Sequence, residues 1–463
     1  MMNQVINTLE NINEWMKSES ISGTITFRGE SSHMVRCGRS QISLNNTEHG
    51  QKFFIDLQKG KRKASSSLTC SAEDAERLKA EVKSLWKKID LMPEISHLRE
   101  LSEIAQGDLN KHVPDMRITN IDSGIMVDLF KNVDEAFKEK NVEISGAFSA
   151  GEYSYSIINT LVDKAISYQG TDFNAEVVVQ LLDHDKKEIR TSIVGENLDD
   201  YHGDELVKEL MELYEIKTTT QRKDLPAGEY DVVFASHAFA ELTNYMGYLT
   251  YHGEGYQFDQ SMLSKDKHDI GTKIFGDNIT ITDDPTNPDV LFARPIGRNG
   301  MERDTFPLIE DGVLKNMFYT DKDTCDRFSI DVNNDIHVAS IMVEAGDGPT
   351  DFHEMVKSCE RPTIYIPFIH YMNFTNPAKG EFTGTSRFGT FLIEDGKITN
   401  HLFNLRINDS YMRIFNHVEW LSRSIGHVNT SNTYGMRMAH SVACPQYVKV
   451  NGVKISGSSA PKS

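Results

Sequence analysis

"FGTFLIEDGKITNHLF" (Phe388 to Phe403) places Asp395-Gly396 between two apolar, alternating runs. Asp-Gly in that setting is the strongest short-range hairpin signal, because the tight turn needs positive φ at both of its central residues. The same pattern occurs in "FPLIEDGVLKNMFYT" (Phe306 to Thr320), around Asp311-Gly312. Outward from these hairpins, "DNITITDDP" reads as a strand ending in an Asp-Asp-Pro turn, and "RPTIYIPFIHYMNF" as a further strand. "PQYVKVNGVKISG" reads as two short strands around Asn451-Gly452, and "NDSYMRIFNHVEWLSRSIG" as an irregular helix. The second half is therefore mostly strands and turns, entered through one helix at about 238–250.

The first half mixes the two periods. Val5, Leu9, Ile12 and Met16 recur at helical spacing. "GTITFRGESSHMVRCGRSQISL" and "HGQKFFIDLQKG" read as antiparallel strands. "SAEDAERLKAEVKSLWKKID" is a helix with Ser71 and Asp74 as a capping box and Leu78, Val82, Leu85 and Ile89 as its buried stripe. A second unit repeats the plan: paired strands in "VEISGAFSAGEYSYSIINT" and "AEVVVQLLDHDKKEIRTSIVG", then a helix in "GDELVKELMELYEIKTTTQ". No βαβ rhythm emerges, so the expected class is α+β. The expected division is an N-terminal region at 1–225, with subunits at about 1–95 and 96–225, and a β-rich C-terminal domain at 226–463.

The 463 residues carry 49 Lys+Arg against 68 Asp+Glu, a formal net charge of −19. That field repels phosphate backbones, so a nucleic-acid partner is not expected. The basic run "KGKRK" (Lys59 to Lys63) reads as a solvated hairpin tip. No stretch is apolar enough for a membrane span, and the first twenty residues lack the layout of a secretory signal. Cys37, Cys70, Cys325, Cys359 and Cys444 are scattered and form no Cys-x-x-Cys pair, which suits a reducing cytoplasm. His237 and Glu241 would share a helix face, but two ligands do not make a zinc site. His252, His268 and His370 read as ordinary surface or packing histidines. No nucleophile elbow or phosphate loop is present. The carboxylates of "TDDP" and "DRFSIDVNND" lack the spacing of a calcium loop and read as turn formers.

Several segments stand in an order that resembles the TldD/PmbA family, also described as modulators of DNA gyrase and as TldD/TldE-type peptidases. They are "LPAGEYDVVFASHAFAELTNYMGYL", "KIFGDNITITDDPTNPDVLFARPIGRNGMERDTFPLIEDGVLKNMFYTDKDT", "FTNPAKGEFTGTSRFGTFLIEDGKI" and "CPQYVKVNGVKISG". The early helix, strands and lysine-rich hairpin agree with the same pattern. The resemblance implies a two-part protein that dimerises around an internal chamber. In its catalytic type, a helix after the "DVVF"-like strand bears His-Glu-x-x-x-His, and a cysteine near the C-terminus completes a zinc site that activates water against a peptide bond. Anchored on "DVVF", those positions fall here on Asn244, Tyr245 and Leu249, and the cysteine position falls near Ser431, with Cys444 directly before the proline. An amide, a phenol and an isobutyl group cannot do that work. The chain is thus similar to the TldE/PmbA type, with no catalytic, cofactor-binding or metal residues and no cofactor. The expected partner is a TldD-like zinc peptidase subunit, with an unfolded peptide as substrate of the complex. The alternative is a stand-alone homodimer that binds a peptide or protein without proteolysis. A metal-independent enzyme built on His370 or Tyr245 has no support in the spacing.

Overall fold

In the computed structural model the described residues are 2–107, 113–182, 187–292, 294–334, 340–429 and 441–458. The first helix spans Met2–Ser18 and buries Val5, Leu9, Ile12 and Met16, the stripe its sequence dictates. Six strands follow in the N-terminal region: β1 (Gly23–Gly38), β2 (Gln41–Lys59), β3 (Arg62–Thr69), β4 (Val142–Asn159), β5 (Ile166–Leu181) and β6 (Glu188–Gly195). They form one antiparallel sheet in the order β3-β2-β1-β4-β5-β6. Segments before residue 95 and after residue 142 therefore share a sheet, through the β1–β4 pairing. The expected strand pair in "VEISGAFSAGEYSYSIINT" is instead a single long strand, β4. Gly146 and Gly151 lie too close to neighbouring backbone for any Cβ, and they let it pass without a turn.

The sheet is long enough to cover two apolar clusters. The first helix and the helix Ala75–Lys88 pack over one of them, with Phe27, Phe53 and Ile157. The helices Ser123–Ala136 and Gly203–Thr219 cover the other, with Phe148, Phe173 and Val177. Asp74, not Ser71, caps the helix Ala75–Lys88, its carboxylate accepting from the Arg77 amide at 3.2 Å. Ser71 Oγ accepts from Glu73 N one turn too early to serve. The "KGKRK" run does form a hairpin tip, with Gly60 at φ +58. Its charges are not merely solvated, however. Lys59 pairs with Asp90 at 2.7 Å, Arg62 with Glu94 at 3.0 Å, and Lys63 reaches Asp323 in the other half of the chain at 3.2 Å.

The C-terminal half builds two further sheets among the described residues. In the larger, the strand Gly228–Ala235 is central, pairing antiparallel with Tyr447–Ser458 and parallel with Thr363–Ile366. Both Asp-Gly hairpins form as read. Asp311 and Gly312 take φ +48 and +75, Asp395 and Gly396 take φ +49 and +70, and the flanking residues pair across each turn. Asn451-Gly452 does not turn the chain. Tyr447–Ser458 is one strand with an irregular register between Val450 and Val453, where Gly452 sits at φ +65. The segment read as an irregular helix is a six-residue helix, Tyr411–Asn416, followed by the strands Val418–Leu421 and Ile425–Asn429.

The smaller sheet explains the Asp-Asp-Pro segment. Asp284 makes the expected turn, accepting from Thr286 N at 3.0 Å and Thr286 Oγ1 at 2.7 Å. Asp283 does something else. Its carboxylate is fully buried and takes Arg303 Nη2 on both oxygens at 2.7 and 2.8 Å. Asn334 Nδ2 and the Ser340 amide add donors at 3.0 and 2.6 Å. The aspartate of "TDDP" and the arginine of "GMERD" are thus one buried, paired unit, as a charge at that depth must be.

Candidate functional site

The strand Gly228–Ala235 runs directly into the helix Ser236–Leu249, hereafter the central helix. Gln446 O receives the Ser236 amide at 2.9 Å and fixes the point of entry. Ala238, Phe239, Leu242, Met246 and Leu249 turn inward, which leaves His237, Glu241, Asn244, Tyr245 and Tyr248 on the outward side. The outward set follows the three- and four-residue spacing of a helix face.

Asn244 and Tyr245 are half-buried there. The Tyr245 ring meets Phe374 nearly edge-on, with centroids 5.5 Å apart, and burial raises its phenol pKa, so it is no ionised oxygen ligand. Leu249 is only 4 % exposed and belongs to the main C-terminal apolar cluster. Its carbonyl holds the chain that follows, accepting from Met262 N at 2.9 Å and from Ser261 Oγ. Cys444 is fully buried, and its thiol points to Ser236 O at 3.5 Å, at the opposite end of the helix. Eight residues of helix separate Ser236 from Asn244, roughly 12 Å along the axis. Burial also pushes the Cys444 thiol pKa up, away from a metal-binding thiolate. Ser431 lies outside the described residues. Among those described, no group of three or more His, Cys, Asp and Glu side chains could hold a metal. The residues present at 244, 245, 249 and 444 do not fit a zinc ion.

The other singled-out residues separate. His237 Nε2 lies 2.8 Å from Ser192 Oγ, and its ring stands 4.6 Å from Phe368. Burial, helped by the Arg190 charge, holds its pKa down at about 3, so the imidazole is neutral. Glu241, one turn on, has a carboxyl pKa raised by burial. His268 accepts from the Ser264 amide through Nδ1 at 3.0 Å. His252 is flanked by Tyr248 and Phe318, and burial lowers its pKa. His370 packs edge-on against Phe388, its pKa brought to about 4 by burial and by Arg190 and Arg387. In "FTGTSRFGTF", Ser386 is buried and ties Thr390 and the Leu405 amide together, so that hydroxyl serves the fold.

Sequence reasoning missed a cavity of about 330 Å³ between the two halves of the chain. Arg190 and Ser192 of β6, Glu209 of the helix Gly203–Thr219, His237, Tyr365 and Tyr447 all line it. Arg387 and Glu188 bridge the halves beside it at 2.9 Å. These residues come from six separate segments, and no local spacing announced them.

Comparison with known proteins agrees with this architecture. Residues 227–457 match the family model described as PmbA/TldA metallopeptidase C-terminal domain. An uncharacterized protein of Methanocaldococcus jannaschii is 36% identical over 89 residues, a segment that spans 19% of this chain and 21% of that relative. Three solved structures are similar over 97% of this chain: TldE from Thermococcus kodakarensis, and candidate modulators of DNA gyrase from Bacteroides thetaiotaomicron and Thermotoga maritima. Their TM-scores are 0.80, 0.80 and 0.75, with 100%, 98% and 99% of those chains covered. Sequence identities of 17%, 16% and 16% make this a likeness of fold.

Proposed function

This chain belongs to the TldD/PmbA family, and we propose that it serves as a TldE/PmbA-type subunit without a metal site. It pairs with a TldD-like subunit that carries the zinc, and the pair degrades or matures peptides. The observation behind this reading is Leu249, an apolar side chain sunk in the core where the catalytic type needs an imidazole. Asn244 and Tyr245 beside it supply neither a nitrogen ligand nor a base. The chain's work in such a complex is to shape the chamber and hold an unfolded peptide. The five free cysteines suit a reducing cytoplasm as the place, and among the described residues no helix is long and apolar enough to cross a membrane.

The test is the metal content and peptidase activity of the purified chain, with and without a partner bearing an intact His-Glu-x-x-x-His. The expected result is no stoichiometric zinc and no cleavage alone, with hydrolysis once the partner is added. Casein cleavage by the isolated chain, abolished by a chelator, would overturn the reading. A pull-down that recovers only further copies of this chain would favour the homodimeric binding protein instead.

A further inference from the structure

The cavity between the halves is lined by groups of both signs of charge. The Arg190 guanidinium lies 4.4 Å over the Phe368 ring and 5.3 Å from that of Phe388. Glu176 pairs with it, and the His237–Ser192 hydrogen bond stands beside it. Arg190 is thus held from two sides, and the hydroxyl and neutral imidazole next to it are hydrogen-bonding groups without charge. The helix Gly203–Thr219 presents Glu209 and Glu212 to the same cavity, three residues apart on one face. Glu212 is 3.3 Å from His353. Among the described residues Glu209 has a hydroxyl partner, Thr191 Oγ1 at 2.5 Å, and no ion pair. Glu209 is an exposed residue that lines the recess, while protein crowds its carboxyl closely enough to raise its pKa. The nearly buried phenols of Tyr365 and Tyr447 lie within electrostatic reach of it.

A carboxylate in an aromatic-walled recess, without an ion pair among the described residues, suits an ammonium group, which gains from both the charge and the ring faces. The Arg190 guanidinium, its charge already met by Glu176, offers its remaining N–H donors to a carboxylate or carbonyl oxygen. The volume, about 330 Å³, stands at the lower end of the usual range for small-molecule sites. We propose that this cavity binds a zwitterion of amino-acid or dipeptide size, its ammonium group on Glu209 and its carboxylate toward Arg190 and Ser192. The site takes Ser236 and His237 from the first turn of the central helix, without Asn244, Tyr245 or Leu249 in its lining, and it needs no metal. It stands independently of the role proposed above, because it is read from the isolated chain.

Isothermal titration of the full-length chain with Gly-Leu, N-acetyl-Gly-Leu and leucine tests this. One Gly-Leu is expected per chain, and acetylation, which removes the ammonium charge, should weaken binding by about tenfold or more. Glu209→Gln should impose a similar loss and abolish the difference between the acetylated and free peptides. Ser192→Ala should weaken Gly-Leu while leaving that difference intact. Glu209 is accessible and outside the core, so its variant should keep the wild-type circular dichroism and melting temperature. Tighter binding of leucine than of Gly-Leu identifies a free amino acid as the ligand, and the reverse identifies a peptide terminus. No heat of binding up to ~20 mM, equal affinity for the acetylated peptide, or a folded Glu209→Gln chain that binds as the wild type does would each overturn the proposal. None of these results depends on whether a partner restores peptidase activity.

Discussion

Leu249→His puts back one ring of the zinc motif, and the fold makes it a costly change. Leu249 ends the central helix with 4 % exposure, packed in the largest apolar cluster of the C-terminal half. Full burial of a leucine contributes about 1.5–3 kcal/mol. An imidazole of similar volume forfeits much of that and brings two ring nitrogens into an apolar site, at about 1–3 kcal/mol for a buried polar group left unpaired. The sum is about 3–5 kcal/mol, large against the usual 0.5–3 kcal/mol of single substitutions. Asn244→His is the matched control. It introduces the same ring on the half-buried outward face and should stay within about 0.5 kcal/mol of the parent. The three tryptophans are Trp15, Trp86 and Trp420, and only Trp420 lies in the C-terminal half. Urea unfolding followed by fluorescence in a Trp15→Phe, Trp86→Phe background therefore reports the half that matters. A marked fall in midpoint is expected for Leu249→His alone. Equal midpoints for the two histidine variants would refute the reasoning, because position 249 would then be free to face a ligand.

Arg303→Met leaves the Asp283 carboxylate buried without its cation and should cost about 3–5 kcal/mol, read from the same unfolding curves. The double variant Asp283→Leu, Arg303→Met should recover part of that loss, and a double variant worse than the single one would contradict the pairing argument. All five cysteines are free and buried, so a thiol reagent should label none of them quickly in the folded chain and all five after unfolding. Fast labelling of Cys444 in native protein would show that its contact with Ser236 is wrong. His237 gives a pH prediction. Its imidazole is held at about 3 in the fold, against an ordinary value near 6.5. Below about 6.5 the unfolded chain takes up a proton that the folded chain refuses until about 3. This residue's effect is therefore absent above 6.5 and destabilising, with a slope of up to about 1.4 kcal/mol per unit, as pH falls through that window. His237→Gln should flatten the acid limb of the stability profile, and an unchanged limb would count against the neutral, buried ring.

The fold was legible wherever one residue type or one period settles the backbone. Asp-Gly demanded two tight turns and made them, at Asp311 and Asp395. The stripe Val5, Leu9, Ile12, Met16 demanded a buried face and found one. Asn451-Gly452 carries the same kind of signal and failed, because Tyr447–Ser458 is hydrogen-bonded on both sides, to Gly228–Ala235 and to Leu405–Ser410. Tertiary pairing there absorbs the positive φ of Gly452 as an irregular register. The strand β4 was divided by the same kind of error, since its glycines mark close backbone approach and not a turn. The cap at Asp74 and the charges of Lys59 to Lys63 depended on partners that local sequence cannot rank.

The site posed a different problem, and the geometry of a straight helix resolves it. Asn244 and Tyr245 are neighbours, but Leu249 comes five residues after Asn244. At 3.6 residues per turn that places it about 140° further round the helix. A regular helix that turns 244 outward must turn 249 away from it, and here 249 enters the core. A metal held by both positions would need the helix bent, overwound or locally widened toward the ion, as breaks in the hydrogen-bond ladder allow. Without a metal to repay that distortion, nothing opposes the regular helix, and the best side chain at 249 is whatever the core prefers. A leucine at that position is then more than a lost ligand. It stabilises the straight form of the helix that a metal site would have to deform, so single substitutions back toward His-Glu-x-x-x-His work against the packing before any ion can bind.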